Sequence, residues 1–336
     1  MVNATAVVDE NNSGLKGRRS ARAPKAPKVK SATKVWTGAR ARETAWGYLF
    51  TSPFFVVFFI FGVIPIIYSV YLSLTSLENP LDENAVFVGL KNFQNLWNDP
   101  EFWKATRNTF SIWFLSTIPQ MAMALGLASI LRNPRLRFKL LWQTIFLVPN
   151  ITSGLAIAVV FGQLFGRDYG LINFCLQFLG ISHIDWLENT LASHVAIATM
   201  ITWRWVGYNS LIFLASMNAI DNALYESASL DGANRWQQFR YVTIPGLRNT
   251  IIFMVIMGTI GGLQVFAEPL TFGGGQTTGG SSGQFNTVTL YLFRYAKDLF
   301  NYGYASAIGI GITFIVLIIT ALNFVITRRI ASEDSK

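Results

Sequence analysis

Residues 220–250 read IDNALYESASLDGANRWQQFRYVTIPGLRNT. Small and apolar residues alternate here with charged ones at the spacing of an amphipathic helix; they are Leu224, Ala228, Leu230 and Ala233 against Glu226, Asp231 and Arg235. We expect a bend at Gly232, because glycine tolerates positive φ. A second helical turn follows, and Pro245 precedes the next apolar segment. The stretch predicts two short helices at an angle, shaped to enter a groove on another protein. An ordinary surface or re-entrant helix is the alternative from composition alone.

Apolar sequence lies on both sides of this stretch and dominates the chain of 336 residues. Hydrophobic residues make up 51% of the chain and charged residues 13%, against about 25% charged in an average soluble domain. So little charge cannot cover a water-facing surface, which excludes a pair of soluble domains. The net charge of +9 is concentrated at one end and in short segments, unlike the basic face of a nucleic-acid-binding domain. The single cysteine, Cys175, excludes an internal disulfide.

Six apolar stretches are long enough to cross a hydrocarbon core about 30 Å thick, which takes roughly 20 helical residues. They lie at about 46–74, 108–131, 142–166, 193–219, 247–270 and 304–327. Aromatic residues near several of their ends suit the membrane–water interface. The sequence therefore predicts an all-α membrane protein with six transmembrane helices, and the helix–loop–helix at 220–250 lies between the fourth and the fifth.

Lysine and arginine are distributed unequally between the two sets of loops. Most of them lie in the N-terminal tail, in the loop 132–139, between spans four and five, and at the C-terminus. By the positive-inside rule both termini are cytoplasmic. We expect a disordered basic tail over 1–45 on the anionic inner leaflet, a six-helix domain over 46–330 and a cytoplasmic C-terminus over 331–336. A mitochondrial transit peptide and a cleaved secretory signal are weaker alternatives for the N-terminus.

The segment between spans four and five resembles the EAA loop of inner-membrane permease subunits of binding-protein-dependent ABC importers. That motif is Glu-Ala-Ala, three residues, Gly, nine residues and Ile-x-Leu-Pro. Every spacing is kept here, with Glu226, Ser227, Ala228, Gly232, Val242, Ile244 and Pro245 at the motif positions. Serine, valine and isoleucine are small departures from it.

The triplet Asp231-Gly232-Ala233 further resembles the carbohydrate-uptake branch, the permeases of the maltose, lactose and glycerol-phosphate type. The likeness extends along the chain in the segments FVGLKNFQNLWNDPEFWKATRNT, DYGLIN, WRWVGYNSLIFLASMNAI and FAEPLTFGGG. It implies a bacterial plasma-membrane protein that moves a sugar into the cytoplasm. It also implies the partners: a second homologous permease, two ATPase subunits, an extracytoplasmic solute-binding protein or lipoprotein, and membrane lipids, but no nucleic acid.

In that family the loop docks in a cleft of the ATPase subunit and follows its closure. The resemblance implies a coupling loop over 220–248 whose functional residues are Glu226, Ala228, Asp231, Gly232, Ala233 and Pro245. Glu226 would make a charge-assisted contact to the ATPase. The chain has no G-x-x-x-x-G-K-[ST] phosphate-binding motif. We therefore expect a transport subunit without catalytic residues or a cofactor of its own, and ATP and Mg²⁺ bound by the partner ATPases.

Polar residues inside predicted spans are costly to insert and indicate candidates for the solute path. Arg204 lies within span four, and inserting it costs about 2.5–3.5 kcal/mol if it lies near the membrane centre. The alternative to a role in the solute path is a structural arginine that hydrogen-bonds to nearby carbonyls. Gln264 offers an amide to a sugar hydroxyl. In the sugar branch the fifth helix and the loop after span three contribute to the solute site. The resulting candidates are Gly166, Tyr169, Gly170, Arg204, Gln264, Phe266 and Glu268.

Other readings of the sequence stay open at this point. A permease for glycerol-3-phosphate or another anionic solute would have Arg204 or Arg167 facing the path. An ion-coupled secondary transporter would need acidic residues at mid-membrane, and a membrane-embedded enzyme would need a catalytic set inside the spans. His183 and His194 have no partners at metal-ligand spacing. The glycine-rich stretch 272–286 is either a flexible lid, a contact for the solute receptor, or a linker.

Overall fold

The computed structural model describes residues 33–77, 85–167 and 169–333, and within these ranges the secondary structure is helical. These ranges contain no β-strand, and the only β-type pairing in them is an isolated bridge between Thr75 and Phe87. The predictions for the tail up to residue 32 and for the last three residues lie outside the described residues. The chain divides into two compact units at Val63 and Ile64.

The first unit contains α1, Thr33–Phe58, followed by a π-helical turn at Phe59–Val63. The helix begins at Thr33 and not at Trp46, where hydropathy placed the start of the first span. Residues 33–45 include three alanines, two arginines, one lysine and one glutamate, which are good helix formers. Extending an existing helix costs far less than nucleating one, so the helix continues into the segment predicted to be disordered.

The second unit contains the remaining helices. They are α2 Ile64–Ser73, α3 Lys91–Trp97, α4 Pro100–Arg132, α5 Lys139–Ile151, α6 Gly154–Leu164, α7 Leu171–Phe178, α8 Thr190–Asn218, α9 Asn222–Leu230, α10 Arg235–Gln238, α11 Ile244–Gly246, α12 Arg248–Leu263, α13 Ala267–Phe272, α14 Val288–Lys297 and α15 Tyr302–Glu333. A π-helical turn at Phe239–Thr243 joins α10 to α11. Pro245 lies two residues after this turn, in the first turn of α11, and the wider turn accommodates a proline that has no N–H to donate.

Helix α4 is the central element of this unit. Asp99 caps it, accepting the N–H of Glu101 at 2.9 Å, and Pro100 occupies its first turn. It packs along α8 and contributes to three clusters of buried apolar side chains in the described part of the chain. Ile112 belongs to the cluster shared with α6 and α8, Phe102 to that with α14 and α15, and Leu131 to that with α8 and α12.

The apolar helices agree with a membrane protein, but their continuity differs from the prediction. Among the described residues, Arg42–Ser73, Pro100–Arg132 and Tyr302–Val325 are long and apolar enough to cross a membrane, and Arg235–Gly246 with Arg248–Leu263, bent by 69°, forms a fourth candidate. Helix α8 has 29 residues and is long enough to cross a membrane. Its polar residues, Arg204 among them, lower its mean hydropathy, and it is not among these candidates.

Two predicted spans are interrupted. The span at 142–166 is divided into α5 and α6, because α5 ends at Ile151 just after Pro149 and α6 begins at Gly154. The span at 247–270 ends at Leu263, and α13 begins at Ala267. A hydropathy average depends only on the apolar residues in a stretch and not on whether they lie in one continuous helix. It therefore could not predict the break between α5 and α6 or the one between α12 and α13.

Helices α5 and α8 are in close backbone contact at Gly207. A Cβ added there would lie 1.7 Å from the carbonyl oxygen of Phe146, so only glycine allows this contact. We expect Gly207→Ala to lower the free energy of unfolding by about 1–3 kcal/mol, the cost of overpacking a tight interior, as measured by denaturant unfolding in detergent. Gly261→Ala is the control, since nothing lies within 4 Å of its added Cβ. Equal stability of the two variants would contradict the close approach.

Candidate functional site

Helices α9 and α10 form the helix–turn–helix expected from the sequence. The N–H of Ala233 bonds the carbonyl of Ala228 at 2.9 Å, and the N–H of Gly232 bonds that of Ser229 at 3.1 Å, so the last turn of α9 is closed by glycine in the left-handed region. Gly232 has φ +81°. The bend expected at Gly232 is therefore present, in a conformation that side-chain-bearing residues rarely adopt.

The second helix is fixed to the first by side-chain hydrogen bonds. Asn234 and Gln237 form a capping box, with bonds of 2.9 and 2.7 Å to each other's backbone N–H groups. The side-chain amide of Gln238 donates to the Ser229 hydroxyl at 2.9 Å and to the Ala233 carbonyl at 3.1 Å. These contacts connect α10 to the end of α9, so the helix pair is able to move as one body.

The helix pair contacts the C-terminal end of α4, which the sequence predicts to be cytoplasmic. The hydroxyls of Tyr225 and Thr243 lie 2.9 Å apart, and the guanidinium carbon of Arg132 lies 4.2 Å from the centre of the Tyr225 ring. Leu247, which follows α11, is fully buried in the same cluster as Leu131. A displacement of the helix pair would therefore be transmitted to α4 and α12.

The far side of the pair is exposed. Leu230 and Trp236, two large apolar side chains, are 90% and 67% exposed. The residues predicted to couple to an ATPase lie on the same segment; Glu226, Asp231, Gly232 and Pro245 are exposed, and Ala228 and Ala233 are half-buried. Arg235 is exposed on the same segment, so the helix pair offers a surface of apolar, acidic and basic side chains.

Arg204 and Glu268 form an ion pair between α8 and α13. The Nη1 of Arg204 donates to Oε1 of Glu268 at 3.0 Å, and their side chains are 25% and 10% exposed. The sequence marked both residues as candidates but did not predict that they pair. The only available signal was that each is a rare charge in an apolar stretch.

The connection between α12 and α13 carries two further candidates. Gln264 is exposed at the end of α12, and the ring of Phe266 packs edge-to-face on that of Phe293 with centroids 4.9 Å apart. The Val265 carbonyl between them accepts the Thr287 hydroxyl at 3.0 Å. Gln264, Phe266 and Glu268 thus belong to one short connection, and of these three only Glu268 bonds to Arg204.

Gly166, Tyr169 and Gly170 are brought together beside a cavity of about 430 Å³. A Cβ on Gly170 would lie 2.2 Å from the Gly166 carbonyl oxygen, so the loop can close only with glycine at that position. The cavity is lined by Gln163, Tyr169, Gly170, Leu171, Asn173, Phe174 and Gln177. Within the described residues no hydrogen bond or ion pair links this cavity to the Arg204–Glu268 pair, so the candidates fall into two groups.

The glycine-rich stretch 272–286 is bonded to its neighbours and is not a free linker. The amide of Asn108 donates to the carbonyls of Gly283 and Asn286 at 3.0 and 3.1 Å. His194 bonds the carbonyl of Gln284, and both ring nitrogens of His194 have partners. His183 contacts Asn173. The part of the chain that the structure describes contains no cluster of three or more His, Cys, Asp or Glu suited to a metal ion.

Known proteins are similar to this chain in sequence and in fold. Residues 108–332 match the family described as binding-protein-dependent transport system inner membrane component. Over 287 residues the chain is 36% identical to the lactose transport system permease protein LacF of Rhizobium radiobacter, covering 84% of this chain and 94% of that protein. It is 32% identical to the trehalose/maltose transport system permease protein MalF of Thermococcus litoralis, over 82% and 91% of the two chains.

The same fold occurs in the crystal structure of a bacterial alginate ABC transporter in complex with an alginate pentasaccharide-bound periplasmic protein. The matching chain has a TM-score of 0.72 and 22% sequence identity, covering 88% of this chain and 98% of that one. At this identity the likeness concerns the fold alone.

Proposed function

This chain belongs to the family of binding-protein-dependent transport system inner membrane components, and we propose that it is the permease subunit of an ABC importer that moves a sugar into the cytoplasm. The relatives named above transport lactose and trehalose or maltose by their names, which supports a neutral di- or oligosaccharide as the solute. ATP and Mg²⁺ would be bound by two separate ATPase subunits.

The exposed helix pair α9–α10 is the observation that carries the coupling role. It has the EAA spacing, a left-handed glycine at its turn, a capped second helix and a base buried against α4. A body of this kind transmits a rigid displacement to the helices it is attached to, which is what driving a two-state bundle requires. Glu226 and Trp236 would contact the ATPase cleft.

The charges near the candidate path favour a neutral solute over an anionic one. Arg204 and Arg167 are the cations that would attract an anion. Each lies 3.0 Å from a carboxylate oxygen, of Glu268 and Asp185 respectively. A paired guanidinium attracts a further anion much less than a free one, so the rival reading as a glycerol-3-phosphate permease loses its main support.

The proposed assembly contains a second homologous permease, two ATPases and an extracytoplasmic solute-binding protein in the bacterial plasma membrane. We propose six membrane crossings with both termini in the cytoplasm. In this arrangement α5 and α6 together make the third crossing, α8 the fourth, and α12 with α13 the fifth. Buried polar groups on α8 would then face protein and not lipid.

The test is reconstitution of the whole importer in proteoliposomes with ATP inside. We expect uptake of labelled maltose or lactose that requires both ATP and the solute-binding protein, and sugar-stimulated ATP hydrolysis. Glycerol-3-phosphate is the comparison solute. Preferred uptake of the phosphate would overturn the sugar assignment, and sugar movement by this chain without any ATPase would overturn the importer.

A further inference from the structure

A second cavity shares no lining residue with the ion pair or with the cavity at Tyr169. It lies among α3, the start of α4, α14 and the start of α15, and its volume is about 420 Å³. This is within the range of roughly 300–1,000 Å³ that small-molecule sites occupy. Polar and aromatic side chains dominate the lining, among them Lys91, Asn95, Asp99, Tyr295, Asn301 and Tyr304.

Asp99 holds one wall of this cavity in a fixed arrangement. Its Oδ2 accepts hydrogen bonds from the hydroxyls of Tyr291 and Tyr304, each at 2.6 Å. Burial, and then the hydrogen bond to Asp99, raise the pKa of Tyr291 above its ordinary value, so the phenol remains a donor. The wall is thus formed before any ligand binds, which lowers the entropic cost of binding.

Other side chains at the cavity keep hydrogen-bonding capacity for a ligand. Within the described residues, the exposed Asn95 amide makes no hydrogen bond. Asn301 uses its Oδ1 to accept the N–H of Tyr304 at 2.9 Å, which leaves its NH₂ group to donate. The Lys91 ammonium is exposed beside them. The cavity therefore presents donors and acceptors together, since an amide supplies both.

This chemistry suits a hydroxyl-rich neutral ligand. One cation, Lys91, and one carboxylate, Asp99, are in the lining named above, so neither charge sign is favoured. A sugar hydroxyl both donates and accepts, which matches amide side chains. The rings of Tyr295 and Tyr304, with centroids 4.7 Å apart, add an aromatic surface for the apolar face of a sugar ring.

We propose that this cavity is a sugar-binding subsite, separate from the candidate path at Tyr169, that takes one neutral sugar unit. The proposal rests on the proposed function as a sugar permease. The solute would thus be held at a second place, beside the connection from α3 to α4 and the connection from α14 to α15.

The experiment measures sugar binding to the purified importer without its solute-binding protein. The ligand is labelled maltose or lactose, whichever the proteoliposomes take up. We expect Asn95→Ala to weaken binding about three- to tenfold, the effect of losing one or two hydrogen bonds, and Asn95→Trp to remove binding at this cavity by filling it. Gln94→Ala is the matched control, because Gln94 is the exposed neighbour of Asn95 in α3 and we expect its affinity to be unchanged.

The outcomes separate this proposal from the proposed function. Unchanged affinity in both Asn95 variants, with uptake by the wild-type importer intact, would overturn the subsite alone. Displacement of the sugar from this cavity by equimolar glycerol-3-phosphate would overturn its neutral chemistry. Failure of the wild-type importer to take up any neutral sugar would overturn the proposed function, and the subsite with it.

Discussion

Replacing Gly232 with arginine is expected to abolish sugar uptake while membrane insertion continues at the wild-type level. Nothing lies within 4 Å of a Cβ added at Gly232, so the fold can hold the side chain. Its left-handed backbone costs roughly 1–2 kcal/mol for any other residue. Arginine also places a long cation on the turn that must enter the ATPase cleft. A lost contact of hot-spot size, about 2 kcal/mol or more, reduces uptake about 30-fold or more.

The measurement is uptake of labelled sugar by cells or proteoliposomes, with the amount of this chain in the membrane determined in parallel. Gly180→Arg is the matched control, because Gly180 has φ +71°, is exposed and has no neighbour within 4 Å of an added Cβ. It carries the same backbone strain outside the helix pair, and we expect uptake within about twofold of wild type. Equal loss in the two variants would attribute the defect to strain and remove the coupling role.

Replacing Glu268 with alanine is expected to lower the free energy of unfolding by about 3–5 kcal/mol, the usual cost of leaving a buried charge without its partner. The Arg204 side chain is only 25% exposed. Among the described residues, its Nε is already buried without a hydrogen-bond partner. Loss of the carboxylate would leave the guanidinium without its ion-pair partner. Denaturant unfolding of the detergent-purified protein measures the change.

Two further variants test this explanation. The double variant Arg204→Met with Glu268→Leu should recover most of the lost stability, since apolar residues often replace a buried ion pair without cost. Arg167→Gln breaks an exposed pair of the same length, with the arginine side chain 59% exposed, and should cost less than about 1 kcal/mol. A loss for Glu268→Ala no larger than that for Arg167→Gln would show that the pair does not stabilise the fold.

The helix pair α9–α10 was the part of the candidate site whose local structure the sequence described best. Its helices, its bend at Gly232 and its exposed apolar residues follow from local alternation and from one glycine. The pair formed by Arg204 and Glu268 was not predicted, because the two residues are far apart in the chain and only packing of α13 against α8 brings them together. The hydrogen bonds that fix the glycine-rich stretch 272–286 were missed for the same reason.

The amino-acid sequence by itself determined the helical membrane class and the family, because span length, charge bias and motif spacing are properties of neighbouring residues. The tertiary structure decided which helices are continuous, that Gly207 must accommodate the backbone at Phe146, and that Asp99 holds two tyrosine hydroxyls beside a polar cavity. These contacts join residues that are distant along the chain. Their partners depend on how all the helices pack at once, which no local pattern records.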